Sequence, residues 1–384
     1  MTEHSKFFQK YTLNNKVEVP SLLSVAPITL FGSNPDGTIS SEERKFFQTR
    51  GEGIGLFILG ATCVSLEGLA FDNQPRAFND NDIPSNSERA KIIKSQGALA
   101  INQIHHGGNL GLKRLSGVPV CAVSADVINK DLEKKGKLNE ETKVVELTEK
   151  DIKRIIDDFA KATEISIKAG YDGIEIHGAN NYLLQQFFSG YYNQRNDAWG
   201  GSLEKRMKFP LEVLDACCKV REKYNKPEFI IGYRLSPEEP FDEGITMTET
   251  LELVRALIKR PIQFIHVSQS KFFQEARRGE GKGTPRLKLI HDEIKGKVAL
   301  IGVGGLYTYD DLLKALNSGY ADFIGVARAL MLNKNLGKIL KEGKIDEIIT
   351  EIDPEKPEKY DIPKMLWDMC VQKGSWLNFK IKEK

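Results

Sequence analysis

Cysteine is scarce, with five residues in 384 (Cys63, Cys121, Cys217, Cys218 and Cys370). None falls in the repeated C-x-x-C spacing of zinc or iron–sulfur sites, so no metal is expected. The odd count also argues against a disulfide framework and fits buried, reduced thiols. Long apolar runs are missing too. Nothing approaches the twenty or so residues of a membrane span, and Met1 to Asn15 holds no apolar segment of signal-peptide length, so no membrane and a cytoplasmic location are expected. Charge of one sign is absent: 55 basic and 53 acidic side chains leave a net +2, without the dense positive surface that binds nucleic acid.

What is present is a rhythm. Short apolar, β-branched runs recur at residues 22–26, 55–59, 98–104, 173–176, 229–233, 262–267, 298–303 and 321–326. Longer segments of helical period separate them. Between Thr148 and Ala169, for example, Ile152, Ile155, Ile156, Phe159, Ala162 and Thr163 recur at i, i+3, i+4, with charges on the other face. Eight strands too continuously apolar to alternate, each followed by a helix, predict a parallel sheet covered on both faces, and a closed barrel before an open sheet. The expected fold is a single (β/α)8 TIM barrel over about residues 20–336, within one domain spanning 1–384. It carries a long loop after strand three, whose charged part Asn129 to Lys143 reads as a solvated insertion, and a C-terminal extension over 337–384. That extension is expected to pack on the barrel or on a neighbouring subunit, which leaves a homo-oligomer open. Trp367 and Trp376 within it read as packing residues.

Parallel barrels place their reacting groups at the carboxyl ends of the strands. Strand one ends in Ala26-Pro27-Ile28-Thr29, strand three in Gln103-Ile104-His105-His106, strand four in His177-Gly178-Ala179-Asn180, and strand five delivers Arg234. Strands seven and eight end in Gly304-Gly305 and Ala327-Arg328. Glycines let a backbone approach an anion, and an arginine adds a bidentate contact, so these two ends suggest a phosphate site. Ordinary turns beside a surface arginine are the plainer alternative. Phe272 and Phe273, after strand six, could roof a cavity or simply pack.

The longest shared motif runs from His177-Gly178-Ala179-Asn180-Asn181-Tyr182 through Gln186-Phe187, then from Asn193-Gln194-Arg195 to Glu204-Lys205-Arg206. With Ala26-Pro27-Ile28-Thr29, Gln103 and Arg234-Leu235-Ser236-Pro237, it resembles the old yellow enzyme family of NAD(P)H:flavin oxidoreductases from about Leu22 to Leu336. The resemblance implies FMN as cofactor, NADH or NADPH as reductant, and a small electrophile with an activated C=C bond, such as an enone or nitroalkene, as acceptor. It implies that Thr29 contacts the flavin near N5, Gln103 its pyrimidine edge and Arg234 its N1 and O2, where a guanidinium stabilises the charge that two-electron reduction adds. Pro27, Ile28 and Ala61 would pack on the ring, and Gly304, Gly305, Ala327 and Arg328 would hold the phosphate. His177 and Asn180 would polarise the substrate's oxygen, and Tyr182 would supply a proton.

Were the segment helical from His177, Asn180 at i+3 would share its face, and Tyr182 would lie about 140° away, at about 100° per residue. Two departures stand out. Asn109 occupies a position where relatives commonly carry arginine, leaving the conformation of the loop at His105 and His106 open, and Ala327 stands where glycine is usual. Larger relatives with an iron–sulfur cluster are excluded, since only Cys370 follows Cys218. The remaining alternatives are a non-flavin phosphate-binding aldolase or isomerase, and a flavin-binding module without turnover.

Overall fold

The computed structural model describes residues 2–372, 377 and 379–382. Eight parallel strands close a barrel: β1 (Leu23–Val25), β2 (Leu56–Cys63), β3 (Leu99–His105), β4 (Gly173–Gly178), β5 (Ile230–Leu235), β6 (Phe264–Val267), β7 (Ala299–Gly302) and β8 (Phe323–Val326). They lie in sequence order around the ring, with β8 paired to β1. Each strand falls on one of the eight apolar runs, and β4 to β8 are buried at every position. Burial on both faces is why these strands read as continuous rather than alternating runs.

Helices α1 (Ser41–Phe47), α2 (Ile83–Lys94), α3 (Glu149–Lys168), α4 (Leu203–Lys223), α5 (Met247–Leu257), α6 (Arg286–Ile294) and α7 (Tyr309–Asn317) follow the first seven strands. Reciprocal caps fix the starts of three: Thr148 with Asp151, Thr246 with Glu249, and Thr308 with Asp311. In α3 the buried stripe is Ile152, Ile155, Phe159, Ala162 and Thr163, as the periodicity predicts; Ile156 sits half-buried at its edge.

The lumen is filled by Leu56, Ile58, Ile101, Ile230, Phe264, Ile301 and Phe323. Gly232 makes room for it, because a Cβ there would lie 2.1 Å from the Phe264 ring. An N-terminal hairpin, Tyr11–Thr12 against Glu18–Val19, closes the amino end. Leu13 and Val19 join the luminal cluster, and Asn14 donates to the carbonyls of Ile262 and Lys297.

The insertion between β3 and β4 is more ordered than expected. Residues 129–134 of the supposed loop belong to a helix, Ala125–Lys134, which lies beside a small parallel pair, Val120–Ala122 with Val144–Glu146. Ala125 and Ile128 pack on that pair, while Asn129 exchanges hydrogen bonds with the Val144 backbone. The helix buries no residue completely, which is why its sequence reads as solvated.

The C-terminal extension packs on the barrel. Tyr360, Leu366 and Cys370 are buried, Arg50 donates to the Tyr360 carbonyl, and Lys334 pairs with Asp361 at 2.6 Å. Trp367 stacks on Tyr360 with ring centroids 5.3 Å apart, a packing role. Trp376 lies outside the described residues. All five cysteines are free, buried thiols.

Candidate active site

A cavity of about 830 Å³ opens at the carboxyl ends of the strands. Pro27, Ile28 and Thr29 reach it from β1, Ala61 from β2, Gln103 from β3, and Arg234 from β5. His177, Asn180 and Tyr182 line it after β4, and Ala327 and Arg328 after β8. Gly304 and Gly305 stand beside it at the end of β7, outside its lining. Gly304 has φ +127° and lies against the Lys271 backbone, where a Cβ would approach to 2.6 Å. Only glycine suits both the dihedral and the approach.

His177 lies in β4 itself, so helical spacing is not what joins it to Asn180 and Tyr182. The chain leaves the strand and turns through Asn180 and Asn181, at φ +58° and +61°, before a short helix begins at Leu183 with Tyr182 as its N-cap. Asparagine tolerates that left-handed turn. The turn folds Tyr182 back, so that its ring lies 5.1 Å from His177 rather than round a helix from it. The Ala179 N–H donates to His177 Nδ1 at 3.2 Å, which leaves the imidazole proton on Nε2. Burial, reinforced by His105, Arg234 and His266, pushes the His177 pKa well below 6.5 and keeps the ring neutral. Asn180 Oδ1 accepts from Ser268 Oγ at 2.7 Å, leaving its Nδ2 free to donate. Burial raises the Tyr182 phenol, with Arg234 opposing, so Tyr182 stays protonated.

Below this wall lies a buried polar layer. Gln103 Nε2 donates to Glu175 Oε2 at 2.6 Å, and Glu175 Oε1 meets His266 Nδ1 at 2.7 Å. Arg234 is buried beside them, its Nε without a hydrogen-bond partner among the described residues. Desolvation lowers its pKa, while Glu175 and Tyr182 offset part of that effect. At the far end of the cavity Arg328 lies 4.6 Å from the Tyr307 ring centroid and donates to the Leu377 carbonyl at 3.1 Å.

His105 and His106 separate. His105 packs edge-on to Tyr182 at 4.2 Å, and its Nδ1 meets Gln74 Nε2 at 3.1 Å; burial lowers its pKa to about 3. His106 accepts from the Gly108 N–H and turns toward Glu67, away from the cavity. Phe272 and Phe273 do not roof the site: Phe272 is buried, and Phe273 packs on Tyr320 and Lys314. The aromatic wall comes instead from Phe31 and Phe71, whose centroids are 5.5 Å apart, while Met331, Met365 and Met369 add a flexible apolar side. Arg114, from the insertion, pairs bidentately with Asp72 at the cavity edge. No local motif marks these residues; only the fold gathers them.

A barrel whose open end holds a deep cavity, floored by a buried arginine and walled by neutral hydrogen-bond donors, has the architecture of a small-molecule barrel enzyme. The family described as NADH:flavin oxidoreductase / NADH oxidase matches residues 6–347. The probable NADH-dependent flavin oxidoreductase YqiG of Bacillus subtilis (strain 168) is 38% identical over 378 residues, 98% of this chain and 99% of that protein. The NADH:fumarate oxidoreductase of Klebsiella pneumoniae (strain 342) is 34% identical over 374 residues, which are 96% of this chain but only 39% of that protein. Among solved structures, the old yellow enzyme homologue from Zymomonas mobilis superposes with a TM-score of 0.74 at 23% identity, covering 93% of this chain and 99% of that one. The chain belongs to the NADH:flavin oxidoreductase / NADH oxidase family, that of the old yellow enzymes. It is an FMN-dependent oxidoreductase that uses a nicotinamide reductant, which sets aside the aldolase or isomerase reading and that of a module without turnover.

Proposed function

We propose that this enzyme reduces an activated C=C bond, in an enone, nitroalkene or related small electrophile, with NADH as the preferred reductant. The observation that carries the reading is that His177 with its proton on Nε2, Asn180 with its Oδ1 already engaged, and Tyr182 line one cavity together with Gln103 and Arg234. The chain fits a flavin there. The Arg234 guanidinium is buried with Nε unpaired among the described residues, a cation that calls for acceptors such as those of the ring's N1 and O2 edge. A Cβ on Gly60 would lie 2.5 Å from Pro27 Cβ and 2.7 Å from Gln103 Oε1, so glycine keeps that wall flat.

On this reading Gln103 and Arg234 would hold the pyrimidine edge, Thr29 would lie near N5, and Pro27, Ile28 and Ala61 would pack on the ring. Gly304, Gly305, Ala327 and Arg328 hold the phosphate. FMN held there would supply hydride transfer from the nicotinamide to the acceptor's β-carbon. His177 and Asn180 donate to the substrate's carbonyl or nitro oxygen and stabilise the charge that grows there. Tyr182 holds a proton at its hydroxyl, available to the α-carbon. Phe31 and Phe71 exclude water and favour flat, conjugated molecules. NADH is favoured over NADPH because the relatives from Bacillus subtilis and Klebsiella pneumoniae, one of this length and one much longer, share NADH in their names.

The test is direct. The purified protein should be yellow, release FMN by mass spectrometry, bleach faster with NADH than with NADPH under anaerobic conditions, and recolour on adding 2-cyclohexenone or a nitroalkene. Release of FAD, or a reduced protein that no member of an enone and nitroalkene panel reoxidises, would refute the proposal.

A further inference from the structure

Glu175 takes no part in the roles assigned so far, yet it is wholly buried at the centre of the barrel. It lies two residues before His177 on β4, so both side chains project from the same face of the strand. A carboxylate in such a place is strongly unfavourable unless its oxygens are satisfied, and an apolar side chain would fill the lumen at less cost. Both oxygens are engaged: Oε2 by Gln103 from β3 at 2.6 Å, and Oε1 by His266 from β6 at 2.7 Å. Arg234 on β5 is the nearby cation, aligned in register with His177 on one side and His266 on the other.

From this geometry we infer that Glu175, braced by His266, is a positioning residue that fixes the orientation of the Gln103 amide and offsets the charge of Arg234, thereby setting flavin affinity and reduction potential. The inference rests on the placement of Gln103 and Arg234 at the ring's pyrimidine edge.

Two steps lead to it. A carboxylate only accepts hydrogen bonds, so Gln103 must turn Nε2 toward Glu175 and Oε1 toward the cavity wall at Gly60. The pyrimidine edge of an isoalloxazine carries one donor, N3–H, between two carbonyls, and Oε1 complements that donor where an amide nitrogen would not. Glu175 thus selects the rotamer that fits. The second step is electrostatic. Two-electron reduction adds negative charge at this edge, which Arg234 attracts and Glu175 repels, so the pair together holds the potential below what Arg234 alone would give.

Variants of the FMN-loaded enzyme test it, read by FMN dissociation constant and by potential against a reference dye. Glu175→Gln should weaken FMN binding about tenfold, the scale of a lost charge-assisted hydrogen bond. It should also raise the potential, increasing the ratio of reduced to oxidised flavin at a fixed poise by about tenfold. Glu175→Asp keeps the charge but shortens the reach, so the potential should stay near wild type while FMN binding weakens. Gln103→Leu should weaken FMN binding much less in the Glu175→Gln background than alone. An unchanged dissociation constant in Glu175→Asp, or an unchanged or lowered potential in Glu175→Gln, overturns the inference. Should Glu175→Gln fail to fold, the Glu175→Asp dissociation constant decides. If Gln103→Leu and Arg234→Met both leave affinity and potential untouched, the placement of those two residues at the ring has failed instead.

Discussion

Ser268, on the loop after β6, donates its hydroxyl to Asn180 Oδ1 at 2.7 Å. The turn that carries Asn180 is held at the same time by its backbone N–H, which donates to Ser236 Oγ at 2.9 Å. Ser236 therefore anchors the backbone of the turn, while Ser268 decides which end of the Asn180 amide is engaged. Ser268→Ala releases the side chain to rotate and to present an oxygen where a donor is needed. The expected result is phenol binding weakened about fivefold, within the range of one lost hydrogen bond, and slower enone reduction, with flavin reduction by NADH unchanged. A phenol titration alongside stopped-flow half-reactions measures this, and wild-type phenol binding would show that Ser268 does not orient the amide.

On the proposed function Tyr182 and His177, whose ring centroids are 5.1 Å apart, have separate tasks. His177→Ala or Asn180→Ala should lower enone reduction on the order of 10²-fold and weaken phenol binding with it, because each removes a donor to the same oxygen. Tyr182→Phe should leave phenol binding nearly intact and slow only the acceptor half-reaction, since protonation alone is lost. Equal loss of phenol binding in the tyrosine and histidine variants would merge the two roles.

The division between legible and illegible features follows from chain locality. Strands covered on both faces leave short apolar runs, so β1 to β8 could be placed from the sequence, and β4 carried His177 with it. The path after β4 stays open in the sequence because the i, i+3 spacing of His177 and Asn180 also fits a helix; the consecutive asparagines at 180 and 181 are the available sign of a left-handed turn. The Ala125–Lys134 helix was hidden by its exposure. Phe31, Phe71 and Met365 come from loops and the C-terminal extension, and meet only across the cavity mouth. Glu175 is flanked in β4 by Ile174 and Ile176, and nothing in these neighbours announces that Gln103 and His266 close on it.

Arg234 has a testable electrostatic consequence. Replacing it with Met removes the buried guanidinium while keeping much of its bulk. The flavin potential should fall and reduction by NADH should slow, because the charge gained at the pyrimidine edge loses its partner. Glu175→Gln should move the potential the opposite way, so the two variants bracket the wild type. Potentiometry on both, with FMN bound, checks the sign, and a shift of the same sign in the two would contradict an opposed pair at one edge.

Acid should destabilise the enzyme before ordinary carboxylates titrate. Burial lowers the pKa values of His105, His177 and His266 below 6.5, that of His105 to about 3. The unfolded chain then binds protons near pH 6.5 that the folded chain refuses, so the contribution is fully present above that pH and is lost as pH falls toward the folded values. Asp158, raised to about 6 by burial, and Glu239, also raised, act in the opposite direction because the folded state takes up their protons first. A His105→Phe variant isolates the imidazole. It retains a flat ring against Tyr182 but cannot be protonated, so its melting temperature should fall less than that of the wild type between pH 7 and about pH 5. Differential scanning calorimetry of both proteins over that interval gives the comparison, and parallel curves would mean that the buried His105 does not govern the acid limit.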